Sequence, residues 1–210
     1  MISDAILKYA EEHSSPELSV LERLNRETHE TQSSPGMLAG PVQGMLLRMI
    51  SQMIRPMRVL EIGTFTGYSA INFAFGLPAC GLVHTIDING KLEEMVRRYL
   101  KESGMEEKVV LHFGDAMNII PTLNEPWDLI YLDADKERYP EYYTLLIERL
   151  RPGGFLMADN AIWDGKVLDK KKPDRETAGI KKFNEMVLAD KRVENLLLPV
   201  RDGIMIIRKI

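Results

Sequence analysis

The 210-residue chain holds a single cysteine, Cys80, so no disulfide can close within it and its core must stand on packing alone. Positive charge is in deficit as well. Lys and Arg number 27 against 31 Asp and Glu, a formal charge of −4, which excludes a protein that coats nucleic acid by bulk basicity. Long apolar runs are missing. Arg48, Gly76 and Asp87 interrupt the best candidates well short of the roughly 20 residues that a membrane-spanning helix needs. No secretory leader is expected, because Asp4, Glu11 and Glu12 stand where a signal wants positive charge followed by an apolar stretch. These absences predict a cytoplasmic setting without membrane attachment. What is present, 45% hydrophobic and 28% charged residues with 15 Gly and 11 Pro, is ordinary globular composition. The length predicts one domain over residues 1–210, burying roughly 70% of the surface its unfolded chain exposes.

Residues 1–40 carry a helical pattern and no strand signal. Ile2 to Glu12 reads as one helix, and Leu18, Leu21 and Leu24 after Pro16 as a second, together a cap or association surface. Ser33, Ser34, Pro35 and Gly36 break the chain. Beyond them Met45, Leu46, Met49, Ile50, Met53 and Ile54 recur at three- and four-residue spacing, which predicts a core-facing stripe. From residue 57 short β-rich runs alternate with helix-length segments, as in a parallel sheet with covering helices. Seven strands are expected, at 58–62, 82–87, 109–113, 127–132, 154–158, 193–198 and 204–208. Only residues 199–203 separate the last two, too little chain for a parallel crossover, so those two run antiparallel. The predicted fold is a doubly wound, Rossmann-like, seven-stranded mixed α/β sheet. Its last strand is antiparallel, helices cover both faces, and a helical cap precedes it.

The first strand feeds Gly63-Thr64-Phe65-Thr66-Gly67-Tyr68-Ser69, a glycine turn opening a helix, which is where a doubly wound sheet binds its ligand. A dinucleotide turn needs glycine where Phe65 and Tyr68 stand, so this loop is shaped for a ligand without a pyrophosphate. Glu61, at the strand end, repels phosphate and attracts ammonium or sulfonium. S-adenosylmethionine carries both cations. Asp87 ends the next strand, 24 residues beyond Gly63, where a carboxylate can take both hydroxyls of a ribose or simply cap the following helix. Gly114-Asp115-Ala116 lies at the same carboxyl edge and offers a wall for adenine, with Asp115 equally suited to cap the helix after it.

The fourth strand closes on Leu132-Asp133-Ala134-Asp135-Lys136 and the fifth on Ala158-Asp159-Asn160. Neighbouring strand ends thereby present Asp133, Asp159 and Asn160 to one point. Three hard oxygen donors suit a magnesium-like dication with positions left for water and substrate, manganese and calcium being alternatives. Lys136 is the candidate base, since an amine beside a dication in a closed cleft has its pKa lowered toward neutrality. Trp163 offers a wall for a flat aromatic substrate, or packs within its loop.

These motifs resemble the cation-dependent O-methyltransferases related to the caffeoyl-CoA and catechol enzymes. The resemblance runs from MLAGPVQG at Met37 through LEIGTFTGYSA, LDADK and ADNAIWDGKV to LLPVRDGI. It implies that Glu61, Gly63, Tyr68, Ser69, Asp87, Ala116 and Asp133 line an S-adenosylmethionine site, with Met37 near the sulfonium. It implies Asp133, Asp159 and Asn160 as metal ligands and Lys136 as the lysine that assists deprotonation. A homodimer is expected from the same resemblance, joined by the N-terminal helices or the helix near Phe183 and Met186. Two departures stand out. Asp87 occupies a place where the catechol enzymes carry Glu, and Leu38-Ala39-Gly40 lacks polar residues that some relatives have at the cleft entrance.

The expected reaction is methylation of one hydroxyl of a vicinal dihydroxy aromatic small molecule or its CoA ester, with Asp133 and Lys136 at the catalytic centre. The rivals are a metal-independent methyltransferase of nucleic acid or protein and a fold relative without catalysis. The first is disfavoured by the acidic balance and by Asp-Ala-Asp-Lys where a base methyltransferase wants prolines and an aromatic. The second predicts damage to the cluster, which is intact. His13, His29, His84 and His112 lack ligand spacing, and Arg97-Arg98 and Lys170-Lys171-Lys172 read as solvated charge. The lysine run also suits an anionic acceptor.

Overall fold

The structure is a computed structural model that describes residues 4–169 and 172–210. Ile2 of the expected first helix and Lys170 and Lys171 of the lysine run lie outside the described residues. Two compact units are distinguished, one ending at Thr122 and the other beginning at Leu123.

The first unit runs α1 (Asp4–Glu12), α2 (Ser19–Thr31), α3 (Gly40–Ile54), β1 (Arg58–Ile62), α4 (Tyr68–Gly76), β2 (Leu82–Asp87), α5 (Glu93–Glu102), β3 (Val109–Phe113) and α6 (Ala116–Ile119). Its strands lie side by side as β3-β2-β1, all parallel, with Leu60 opposite His84 and Thr85 opposite Leu111. Parallel pairing places the three strand ends along one edge, where the loops after β1, β2 and β3 meet. On α2, Leu21, Leu24 and Thr28 turn inward, as the amphipathic spacing requires.

The methionine stripe of α3 is not the buried one. Gln43, Gly44, Leu47 and Ser51 form the inner face, whereas Met49 and Met53 are exposed. Small residues decide this. A Cβ on Gly44 would sit 2.6 Å from the Tyr68 ring, and one on Gly76 would sit 2.3 Å from Ser51 Oγ, so α3 and α4 approach too closely for methionine to lie between them. Ser51 Oγ donates to the Phe73 carbonyl at 2.8 Å across this contact. The helix stops at Arg55, which takes a left-handed conformation before Pro56.

The second unit runs β4 (Trp127–Leu132), α7 (Tyr139–Arg149), β5 (Leu150–Ala158), α8 (Arg175–Ala189), β6 (Val193–Leu198) and β7 (Ile204–Lys209). Its strands lie as β4-β5-β7-β6, with β4 parallel to β5 and β7 antiparallel to both of its neighbours. The chain thus has the seven-stranded mixed α/β fold with one reversed strand near its end. β5 starts at Leu150, four residues before the expected 154. Pro152 and Gly153 read as breakers, but a register shift between Trp127 and Leu129 accommodates them within the strand. No helix among the described residues is long and apolar enough to cross a membrane.

Candidate active site

In the first unit the glycine loop is held chiefly through its own backbone N–H groups. The N–H groups of Gly63 and Thr64 donate to the Ile86 carbonyl at 2.9 and 3.3 Å, and Gly67 N–H closes a turn on Thr64. Phe65 sits at φ 47°, a conformation a bulky residue adopts only when held. The holder is Asp87, whose Oδ2 accepts from Phe65 N–H at 2.7 Å while its Oδ1 accepts from Asn89 N–H at 2.8 Å. Glu61 is buried, and hydroxyls run toward it in a chain: Thr64 donates to Thr85 at 2.6 Å and Thr85 donates to Glu61 Oε2 at 2.5 Å. Gly63, Glu61 and Asp87 are therefore gathered at the adjoining ends of β1 and β2. Gly114 N–H donates to the Asp87 carbonyl at 2.9 Å and brings the turn after β3 alongside.

The other expected cofactor residues divide. Asp115 caps α6 through Met117 N–H at 2.9 Å, and Ala116 is buried at the first position of that helix. Ser69 is partly buried in the first turn of α4. Tyr68 is turned from the glycine loop toward the N-terminal helices, its hydroxyl donating to Glu17. Burial holds the Glu17 carboxyl above its ordinary range, the Tyr68 bond opposing that rise only in part. Met37 stands 62% exposed at the end of a short 3-10 turn. Glu17 and Thr28, whose hydroxyl donates to Thr66 at 3.1 Å, tie the N-terminal helices to the loop, and no sequence motif marks either.

In the second unit Leu132 pairs with Ala158, so the residues that follow, Asp133 and Asp159, emerge side by side from adjacent parallel strands. Lys136 Nζ donates to Asp133 Oδ1 at 2.6 Å and to the Tyr139 hydroxyl at 2.8 Å. That hydroxyl in turn lies 3.1 Å from the carbonyls of both Leu132 and Asp159. Tyr131 donates to Asp159 Oδ2 at 2.9 Å, and Asn160 N–H donates to Asp159 Oδ1 at 2.8 Å. Asp133, Lys136 and Asp159 thus lie along one run of hydrogen bonds through Tyr139, and Asn160 follows Asp159 in the chain.

The electrostatics of Lys136 are set by burial, by Asp133 and by Tyr139. Only 8% of its surface is exposed. Burial pulls its pKa down, but the adjacent Asp133 carboxylate and Tyr139 outweigh that and hold it well above the ordinary lysine value. The 2.6 Å contact between Lys136 Nζ and Asp133 Oδ1 has the geometry of an ion pair. Burial also raises the Tyr139 phenol, against the opposing pull of Lys136, and raises Tyr131 with the help of Asp159, so both stay protonated donors. Trp163 opens a 3-10 segment, and Lys166 Nζ lies 5.1 Å from the centroid of its ring, a cation over an aromatic face.

Residues 11–210 match the family model described as O-methyltransferase. The chain belongs to the O-methyltransferase family. As a member, this O-methyltransferase is an S-adenosylmethionine-dependent enzyme. A catechol O-methyltransferase of Niastella koreensis is 34% identical over 168 residues, spanning 78% of this chain and 76% of that protein. Caffeoyl-CoA O-methyltransferase 1 of Eucalyptus globulus is 34% identical over 184 residues, spanning 80% and 73%. The crystal structure of TomG from Streptomyces achromogenes, an O-methyltransferase involved in tomaymycin synthesis and solved in complex with S-adenosylmethionine, matches with a TM-score of 0.90 at 30% identity, over 98% of this chain and 96% of TomG.

Among the described residues no three His, Cys, Asp or Glu side chains gather into a metal-holding cluster; the amide oxygen of Asn160 is a further oxygen donor beside Asp159. The donor set fits a hard dication. Two carboxylates on adjoining strand ends and one amide oxygen are all oxygen ligands, and Asn160 Nδ2 is occupied in donating to Asp202 Oδ2 at 3.1 Å. Sequence reasoning missed Tyr131, Tyr139 and Asp202. Tyr139, three residues after Lys136, carries a helical spacing signal; Asp202 lies in a stretch that reads only as a turn.

Proposed function

We propose that this O-methyltransferase transfers the methyl group of S-adenosylmethionine to one hydroxyl of an aromatic acceptor bearing two adjacent hydroxyls, free or as a CoA ester, in the presence of a divalent cation. The observation that carries the reading is the pair of carboxylates at adjoining strand ends, Asp133 held by buried Lys136 and Asp159 by buried Tyr131. The relatives named for catechol and for caffeoyl-CoA support the acceptor class.

Asp133, Asp159 and Asn160 would hold the cation. Once bound, a magnesium-like ion supplies a Lewis acid that lowers the pKa of an acceptor hydroxyl. The chain's own contribution is orientation and charge. Lys136, fixed by Asp133 and Tyr139, would offer a preorganised positive charge to a developing phenolate. For Lys136 to take the proton itself, the pull of Asp133 must first be engaged elsewhere, because that carboxylate is what raises the lysine. The phenolate oxygen forms a bond to the methyl carbon as the carbon–sulfur bond breaks, leaving S-adenosylhomocysteine, a methyl ether and one proton. In the first unit the Glu61 carboxylate, buried at the end of β1, offers negative charge to the cationic cofactor, and Asp87 offers hydrogen-bond acceptors to its ribose.

The test mixes protein, S-adenosylmethionine and a panel of catechols, with magnesium or with excess chelator, and reads a one-methyl mass gain. The gain is expected with magnesium and absent with chelator. Asp133→Ala and Asp159→Ala are expected to lower turnover by about 10²-fold or more, since Lewis-acid stabilisation contributes several kcal/mol. A gain indifferent to chelator overturns the cation; a gain confined to RNA or protein overturns the acceptor.

A further inference from the structure

Asn160 stands at φ 58°, just past the end of β5, and a loop from elsewhere in the chain grips it. Its Nδ2 donates to Asp202 Oδ2 at 3.1 Å, and the other Asp202 oxygen accepts from Asp164 N–H at 2.5 Å. Two backbone bonds reinforce the grip, Ala161 N–H to the Gly203 carbonyl and Ile162 N–H to the Asp202 carbonyl, both 2.9 Å. Gly203, at φ +84°, permits the approach: a Cβ there would meet Ile162 Cγ1 at 2.4 Å.

A primary amide has one accepting end and one donating end, and rotation about its last bond exchanges them. A carboxylate accepts only. With Asp202 in front of it, Asn160 can present Nδ2 but not Oδ1, because the flipped amide would set two acceptors against each other. Its oxygen is therefore turned away from Asp202. We propose that Asp202 is a positioning residue that fixes the amide of Asn160, so that Oδ1 faces outward as a hard donor for a divalent cation. This rests on the cation reading above. Asp202 would act on the cation through Asn160.

The probe is Mn2+ itself, titrated into the full chain with S-adenosylmethionine present and followed by the electron paramagnetic resonance of the free ion. Asp202→Ala is expected to weaken Mn2+ binding roughly 10–100-fold, the usual cost of losing a group that orients a ligand, while S-adenosylmethionine affinity stays as in the wild type. In an Asn160→Ala background the same substitution is expected to weaken Mn2+ binding no further, because the route through the amide is already gone. Equal losses in both backgrounds, or wild-type Mn2+ affinity in Asp202→Ala, overturn the inference. If Asp133→Ala also binds Mn2+ as the wild type does, it is the donor assignment that fails and not the role of Asp202. Should Asp202→Ala not fold, the wild-type side-chain amide decides: the assigned Asn160 NH2 protons are expected to be protected from solvent exchange, and free exchange counts against the inference.

Discussion

The glycine loop and the acidic cluster both place carboxylates at the ends of parallel strands, yet they hold them by different means. Asp87 accepts from two backbone N–H groups close to it in the loops after β1 and β2, and the loop's own turns are closed by backbone bonds. Asp133 is held by the buried Lys136 side chain, itself bonded to Tyr139, and Asp159 by the buried Tyr131 hydroxyl together with one backbone N–H, that of Asn160. A backbone donor survives most substitutions, whereas a buried side-chain network fails when one member is removed, since the remaining partners stay desolvated and unpaired. The loop should therefore tolerate change that the cluster does not.

Lys136→Met is the most severe way to press that contrast. Removing the ammonium is expected to lower kcat by about 10²–10³-fold and leave S-adenosylmethionine affinity unchanged in a direct binding assay. Asp87→Ala is expected to do the reverse, raising the KM for the cofactor with kcat less affected. Comparable kcat losses in both variants would erase the distinction.

Two glycines sharpen it at the level of packing. A methyl at Gly76 meets Ser51 Oγ at 2.3 Å, and one at Gly179 meets the Lys136 carbonyl at 2.3 Å and the Glu137 carbonyl at 2.8 Å. Each alanine variant is expected to lose about 1–3 kcal/mol of stability by overpacking, read from thermal unfolding. Only Gly179→Ala should also lower kcat at a temperature where both variants are folded, because the segment it displaces carries Lys136.

The smallest expected effect lies at the far side of the first unit, where His84 Nδ1 and His112 Nε2 are 3.1 Å apart on β2 and β3. Burial holds His112 below its ordinary 6.5, so the folded chain favours the neutral ring. The unfolded chain then binds the proton more readily. The contribution is complete above pH 6.5 and is lost as the pH falls through the lower folded-state value. Thermal unfolding of His112→Asn is expected to fall less than wild type on acidification in that window, and an NMR titration of His112 reads the shift directly.

Much of this was legible in the residues. Periodicity placed all seven strands, six of them starting where expected, because strand formation answers to alternation and turn residues a few positions away. The acidic pair was legible because two runs ending in Asp, each following an apolar strand, put carboxylates at one edge of any parallel sheet. The inner face of α3 was not, since Met45 to Ile54 satisfy helical spacing whichever side is buried, and only the approach of α4 through Gly44 and Gly76 selects one.

Local chemistry, in other words, decides which segments become strands, where glycine lets the chain turn, and which residue types crowd a strand end. Long-range packing decides the rest: that Lys136 is buried against Asp133 and Tyr139, that Tyr68 points to Glu17, and that Asp202, 42 residues beyond Asn160, accepts a hydrogen bond from its amide. Burial and hydrogen-bond direction depend on atoms brought together from distant parts of the chain, and no nearest-neighbour pattern encodes them.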